Sequence, residues 1–72
     1  MGEDMKYKIS KRVRALRLKH RYTQERLSEL SGIEYKHIQR IEGKRPCDLK
    51  SSTLEKLARA FKISLSDFMD FD

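Results

Sequence analysis

"SELSGIEYKHIQRIEGKRP", residues 28–46, sets one isolated glycine between two short stretches of helical spacing. Just upstream, Leu27 and Leu30 stand three apart as the expected inward residues of a helix, and the pattern stops at Gly32. Downstream, Ile38 and Ile41 repeat that interval before Gly43 and Pro46 end the run. Glycine inside a helix costs about 1 kcal/mol relative to alanine, so a single long helix has no use for one here. At a turn between two helices it is favoured, because it alone adopts positive φ cheaply. Residues 28–46 therefore read as helix, tight turn, helix.

The restarted helix has two unlike sides. At about 100° per residue, Ile38 and Ile41 point one way, and Lys36, Gln39 and Arg40 point nearly opposite. Tyr35 and His37 flank them. Lysine and arginine reach guanine O6 and N7, and glutamine reaches adenine N6 and N7. A solvated helix face commonly carries such residues, so the face alone decides little; the frame around it decides more. A helix-turn-helix needs an inward apolar residue early in its first helix, a small residue at the crossing, and a positive-φ turn. Its second helix needs inward apolar residues one turn apart. Leu27, Ser28, Gly32, Ile33, Ile38 and Ile41 fill those places in order.

The whole chain is consistent with that frame. Seventy-two residues make one small domain, near the lower limit for a single unstapled core. Charged residues are 39% of the chain and the net charge is +6, a balance that favours polyanionic partners. Cys47 is the sole cysteine, so no internal disulfide forms. His20, His37 and Cys47 have no metal-ligand spacing and no arrangement of nucleophile and base, which argues against an enzyme, a metal or another cofactor, and a small-molecule substrate. No apolar run approaches the ~18 residues of a membrane span, and the charged start is not a secretory signal. The basic first helix has too narrow an apolar face to lie on a membrane. The expectation is a soluble, cytoplasmic module.

Period-3.6 spacing gives the remaining elements. Residues 1–7 have no periodicity and are expected to form a flexible arm, leaving 8–70 as the domain and about 24–42 as its helix-turn-helix. Ile9, Val13 and Leu16 form one face of a first helix ending near His20. Thr23 is a good N-cap, with Glu25 in the first turn. Ser52 and Glu55 have the spacing of a capping box, opening a helix with Leu54, Leu57, Ala58 and Phe61 inward. Ser64 and Asp67 have the same spacing, opening a last short helix with Leu65 and Phe68 inward. The fold class is all-α, a compact bundle of five short helices.

Three segments carry a family likeness: VRALRLKHRYTQERLSELSG at 13–32, IQRIEGKRP at 38–46 and LEKLARAFKISLSDF at 54–68. In them the chain resembles the Cro/repressor-type (XRE-like) helix-turn-helix family, which includes lambdoid phage repressors and restriction-modification controller proteins. The likeness spans Ile9 to Asp70. It implies a lambda-repressor-like domain that binds double-stranded DNA as a homodimer and regulates transcription, as a repressor or controller on a palindromic operator. It also implies that Thr23 and Gln24, opening the second helix, contact phosphate. Tyr35, Lys36 and Arg40 match base-contacting positions, and Gln39 joins them from the helical wheel. His37 matches a position against the sugar-phosphate backbone. Arg17 and Glu42 match a structural ion pair between the first and third helices. The tail SDFMDFD, with Phe68, Met69 and Phe71, matches a helix that often supplies the two-fold interface.

The loop departs from the family wording. One residue usually separates Ile-Glu from Gly-Lys, whereas Gly43 follows Glu42 directly and CDLKSS then lengthens the connection. Lys44 and Arg45 are expected to face phosphates from a shifted register. A rival expectation on the same fold is a protein-interaction module, such as an antitoxin or inhibitor partner. That version calls for an apolar outer face at 35–40, and the face here is polar.

Overall fold

The computed structural model describes residues 4–70, and all regular structure within them is helical. Five helices follow in order: α1 Met5–Lys19, α2 Gln24–Ser31, α3 Tyr35–Glu42, α4 Ser51–Ala60 and α5 Leu65–Phe68. The all-α expectation holds. Helix α1 begins earlier than its apolar spacing implies: Asp4 takes the cap position and its carboxylate accepts from the Lys6 N–H at 3.4 Å. Residues 5–7, expected in the arm, thus form its first turn, and residues 1–3 lie outside the described part.

Helices α1 and α4 end in the same way, and neither end uses glycine. The Tyr22 N–H donates to the Arg17 carbonyl at 2.9 Å, and the Arg21 N–H donates to Leu18 at 3.1 Å. At α4, the Ile63 N–H donates to Ala58 at 3.1 Å and the Lys62 N–H to Arg59 at 3.0 Å. Both are Schellman closures, which require a left-handed residue after the cap. Arg21 and Lys62 occupy those places, with φ of 58° and 60°.

The helix-turn-helix is framed by local caps. Thr23 Oγ1 accepts from the Arg26 N–H at 3.0 Å, and Leu27 is fully buried. Gly32 closes α2 at φ 77°, its N–H donating to the Ser28 carbonyl at 2.9 Å. Leu30, expected inward, is 41% exposed, and Ser31 is buried instead. The reason is angular: from Leu27, position i+4 lies about 40° away around the helix, and i+3 about 60° away on the other side. The Ser31 hydroxyl donates to the Leu27 carbonyl at 2.7 Å and accepts from the Ile33 N–H at 3.2 Å, so its burial leaves nothing unsatisfied.

The expected capping box at Ser52 does not form. Lys50 is the N-cap of α4 and makes no side-chain cap bond, so Ser52 is already inside the helix. Ser64 does cap α5, accepting from the Asp67 N–H at 3.0 Å.

The core gathers Ile9, Val13, Leu16, Leu27, Ile33, Ile38, Ile41, Leu57, Ala58, Ala60, Phe61 and Phe68. Full burial of a large apolar side chain contributes about 2 kcal/mol, so this set carries the fold. Polar ties finish it. Arg12 reaches from α1 to the end of α5, donating from Nη2 to the Asp67 carbonyl at 2.9 Å and from Nε to Phe68 at 3.2 Å. The Tyr22 hydroxyl donates to the Ala60 carbonyl at 3.3 Å, and its ring stacks 6.0 Å from Phe61. The His20 ring nitrogens lie 2.9 Å from the Leu16 carbonyl and 3.2 Å from that of Phe61. Among the described residues, no helix is long and apolar enough to cross a membrane.

Candidate nucleic-acid interface

Helix α3 divides cleanly into an inner and an outer side. Ile38 and Ile41 are 0% and 1% exposed, locking one side to the core. Tyr35, Lys36, Gln39 and Arg40 are exposed, and their side chains have no hydrogen-bond or ion-pair partner among the described residues. Eight residues span about 12 Å. The outer side is thus a short strip of unengaged donors on a rigid rod.

The angle of that rod is set by Arg17. From α1, Arg17 Nε donates to Glu42 Oε2 at 2.7 Å and Nη2 donates to Oε1 at 3.0 Å, a bidentate fork. Its remaining Nη1 donates to the Tyr22 carbonyl at 2.9 Å, tying the α1–α2 connection into the same group. The side chains are only 14% and 4% exposed. The hydrogen bond to Glu42 holds the Arg17 guanidinium pKa above its ordinary value, against desolvation, with the carboxylate's charge adding to it. Arg17 and Glu42, paired by the family resemblance, therefore join α1 directly to the end of α3. Gln24 enters the same network, its Nε2 lying 3.4 Å from Glu42 Oε1. One of its two amide protons points inward and the other is left for an outside acceptor.

The residues expected against phosphate flank this strip. Thr23 is exposed, and its oxygen is engaged as the α2 cap. Gln24 is half-buried at the start of α2, and Lys44 and Arg45 are exposed just beyond α3. Gly43 ends α3 in extended backbone, and a Cβ there would press on the Gln39 carbonyl at 3.1 Å. His37 is half-buried, with Nε2 3.9 Å from Cys47 Sγ, a contact that sequence spacing did not indicate. Among the described residues, no group of three or more His, Cys, Asp or Glu side chains is placed to hold a metal ion. At the far end, Phe68 is fully buried in this chain's own core and presents no surface to a partner. Met69 is half-buried against that core. Phe71 lies outside the described residues.

One residue of the strip was missed at the sequence level. Glu34, the exposed N-cap of α3, lines one open recess of about 340 Å³ together with Lys36, His37 and Arg40. Glu34 stands just before the first turn of α3, outside the helical periodicity that marks Lys36, Gln39 and Arg40.

The sequence matches the Cro/C1-type HTH DNA-binding domain over residues 12–72, which takes in the junction of α1 with α3 and the whole of the outer strip. The chain belongs to that family. Comparison with curated proteins and comparison with solved structures each gave no match. As a Cro/C1-type domain the protein is a DNA-binding fold, and α2 and α3 are its helix-turn-helix. The Arg17–Glu42 fork is the joint that sets the angle of α3 against the rest of this Cro/C1-type domain.

Proposed function

We propose that the protein is a sequence-specific transcriptional regulator that binds a palindromic operator as a homodimer and represses by occupancy. The observation that carries this reading is the outer side of α3: four exposed polar side chains, unengaged within the fold, on a helix whose other side is fully buried. Two α3 helices enter successive major grooves about one DNA turn apart. Lys36, Arg40 and Gln39 read base edges, with Tyr35 packed beside them. Thr23, Gln24, His37, Lys44 and Arg45 hold phosphates, which supply most of the affinity and its salt dependence. The free amide proton of Gln24 is aimed by Glu42. Met69 and Phe71 contribute to the two-fold contact, with Phe68 supporting them from within. A cytoplasmic setting follows where the DNA itself is cytoplasmic.

The test is binding-site selection from randomised duplexes at near-physiological salt. The expected result is two related half-sites at a fixed spacing. Arg40→Ala then relaxes preference at one position by about 1–3 kcal/mol, whereas Lys44→Ala weakens all sequences alike and lowers the salt slope by about one. Retention of DNA with no enriched motif, or equal uniform losses in both variants, overturns the reading.

A further inference from the structure

Glu34 is the one acidic group in the recess it shares with Lys36, His37 and Arg40. Its carbonyl is engaged, accepting from the N–H groups of His37 and Ile38, both at 3.0 Å. Its carboxylate is not: it makes no cap bond, is exposed, and has no partner among the described residues. An N-cap glutamate that stabilised α3 by capping would bond back to the first turn, as Thr23 and Ser64 do in their helices. Glu34 instead leaves both oxygens facing outward at the tip of the helix.

We propose that Glu34 is a specificity-determining residue that accepts a hydrogen bond from the exocyclic N4 amine of a cytosine. The inference rests on α3 being the major-groove reader. The N-terminal residues of such a helix contact base edges, so Glu34 is carried toward the floor of the groove with Lys36. A carboxylate there is repelled by phosphates and by guanine O6 and N7, and it has only two kinds of donor to meet. Adenine offers N6, but its N7 acceptor lies beside it and opposes the second carboxylate oxygen. Cytosine offers N4 with no acceptor of its own adjacent in the groove. The recess therefore holds complementary readers: an acceptor at Glu34 and donors at Lys36 and Arg40. It fits a half-site in which a cytosine adjoins guanines contacted by those two side chains.

The experiment is selection from randomised duplexes with the full chain as wild type, Glu34→Gln and Glu34→Ala, after thermal melts establish that all three are folded. A cytosine fixed at one position per half-site in the wild type is expected. In Glu34→Ala that preference falls about ten-fold or more, with the other positions kept. In Glu34→Gln it shifts to adenine, which glutamine contacts through N6 and N7. A wild-type motif that both variants reproduce unchanged overturns the role of Glu34 and leaves the major-groove reading standing. So does a uniform gain in affinity for all sequences in both variants, since it assigns the carboxylate to phosphate repulsion alone. No motif in the wild type overturns the major-groove reading itself, and this inference with it.

Discussion

Arg17 and Arg40 carry the same guanidinium and are put to opposite uses. At the junction of α1 and α3, Arg17 commits three nitrogens to Glu42 and the Tyr22 carbonyl, with its side chain 14% exposed. On the outer side of α3, Arg40 is exposed and holds nothing inside the fold. Only Ile41 separates Arg40 from Glu42, so one helix carries both a fixing point and a free head. A donor is available to a partner only where the fold does not need it, and a reading helix is aimed only where the fold holds it firmly.

The largest effect is expected at the fixing point. Glu42→Ala leaves Arg17 largely buried without its carboxylate and lowers unfolding free energy by about 2–4 kcal/mol, read from the denaturant midpoint. Removing the partner costs more than the net value of the pair, because the remaining charge stays desolvated. Arg40→Ala is expected to change stability by less than about 0.5 kcal/mol, since it touches no internal partner. Equal losses from the two variants would erase the distinction. Alkali affects the pair in one direction only. A guanidinium whose pKa is raised by folding contributes its stability at all pH values below its ordinary pKa, and that contribution disappears only in strongly basic solution.

Backbone positions sharpen the same contrast at smaller scale. Gly32→Ala meets open space, with no atom within 4 Å of the new Cβ, yet its φ of 77° makes the change unfavourable by about 1 kcal/mol. The loss is therefore one of backbone conformation alone, visible as a lower midpoint with unchanged slope. Arg21 and Lys62 hold the reverse position: left-handed backbone with side chains larger than hydrogen. Lys62→Gly is expected to stabilise by about 0.5 kcal/mol, a small rise in Tm, and Arg21→Gly by a similar amount.

The distribution of these features explains what could be read from sequence. Gly32, the Thr23 and Ser64 caps, and the inward Ile38 and Ile41 are local events, decided within one or two turns of chain, and period and cap chemistry suffice for them. Leu30 misled because it and Ser31 lie about 60° and 40° from Leu27 on opposite sides, and the one nearer the core axis is a polar serine. Ser52 misled because three residues in a row, Ser51, Ser52 and Thr53, can each open a helix, and the chain begins it at the first. Arg12, His20 and Tyr22 were silent for another reason. Each has a partner carbonyl far along the chain, and every residue has a carbonyl, so no sequence pattern marks which one is used. The candidate site follows the same division: Lys36, Gln39 and Arg40 were visible on a wheel, whereas Glu34, lying just off its start, needed the recess to show it.

The Arg12 clamp has a consequence for synthesis. Its two acceptors, the carbonyls of Asp67 and Phe68, lie 55 and 56 residues downstream, and Phe68 is also part of the core. A growing chain made from its N-terminus emits α1 first and both halves of the reading motif next, long before the segment that closes over α1 exists. Until residue 68 has left the ribosome, the helices that would meet DNA stand without their last wall. A chain cut short within α5 therefore loses the Arg12 clamp and the buried Phe68 ring together.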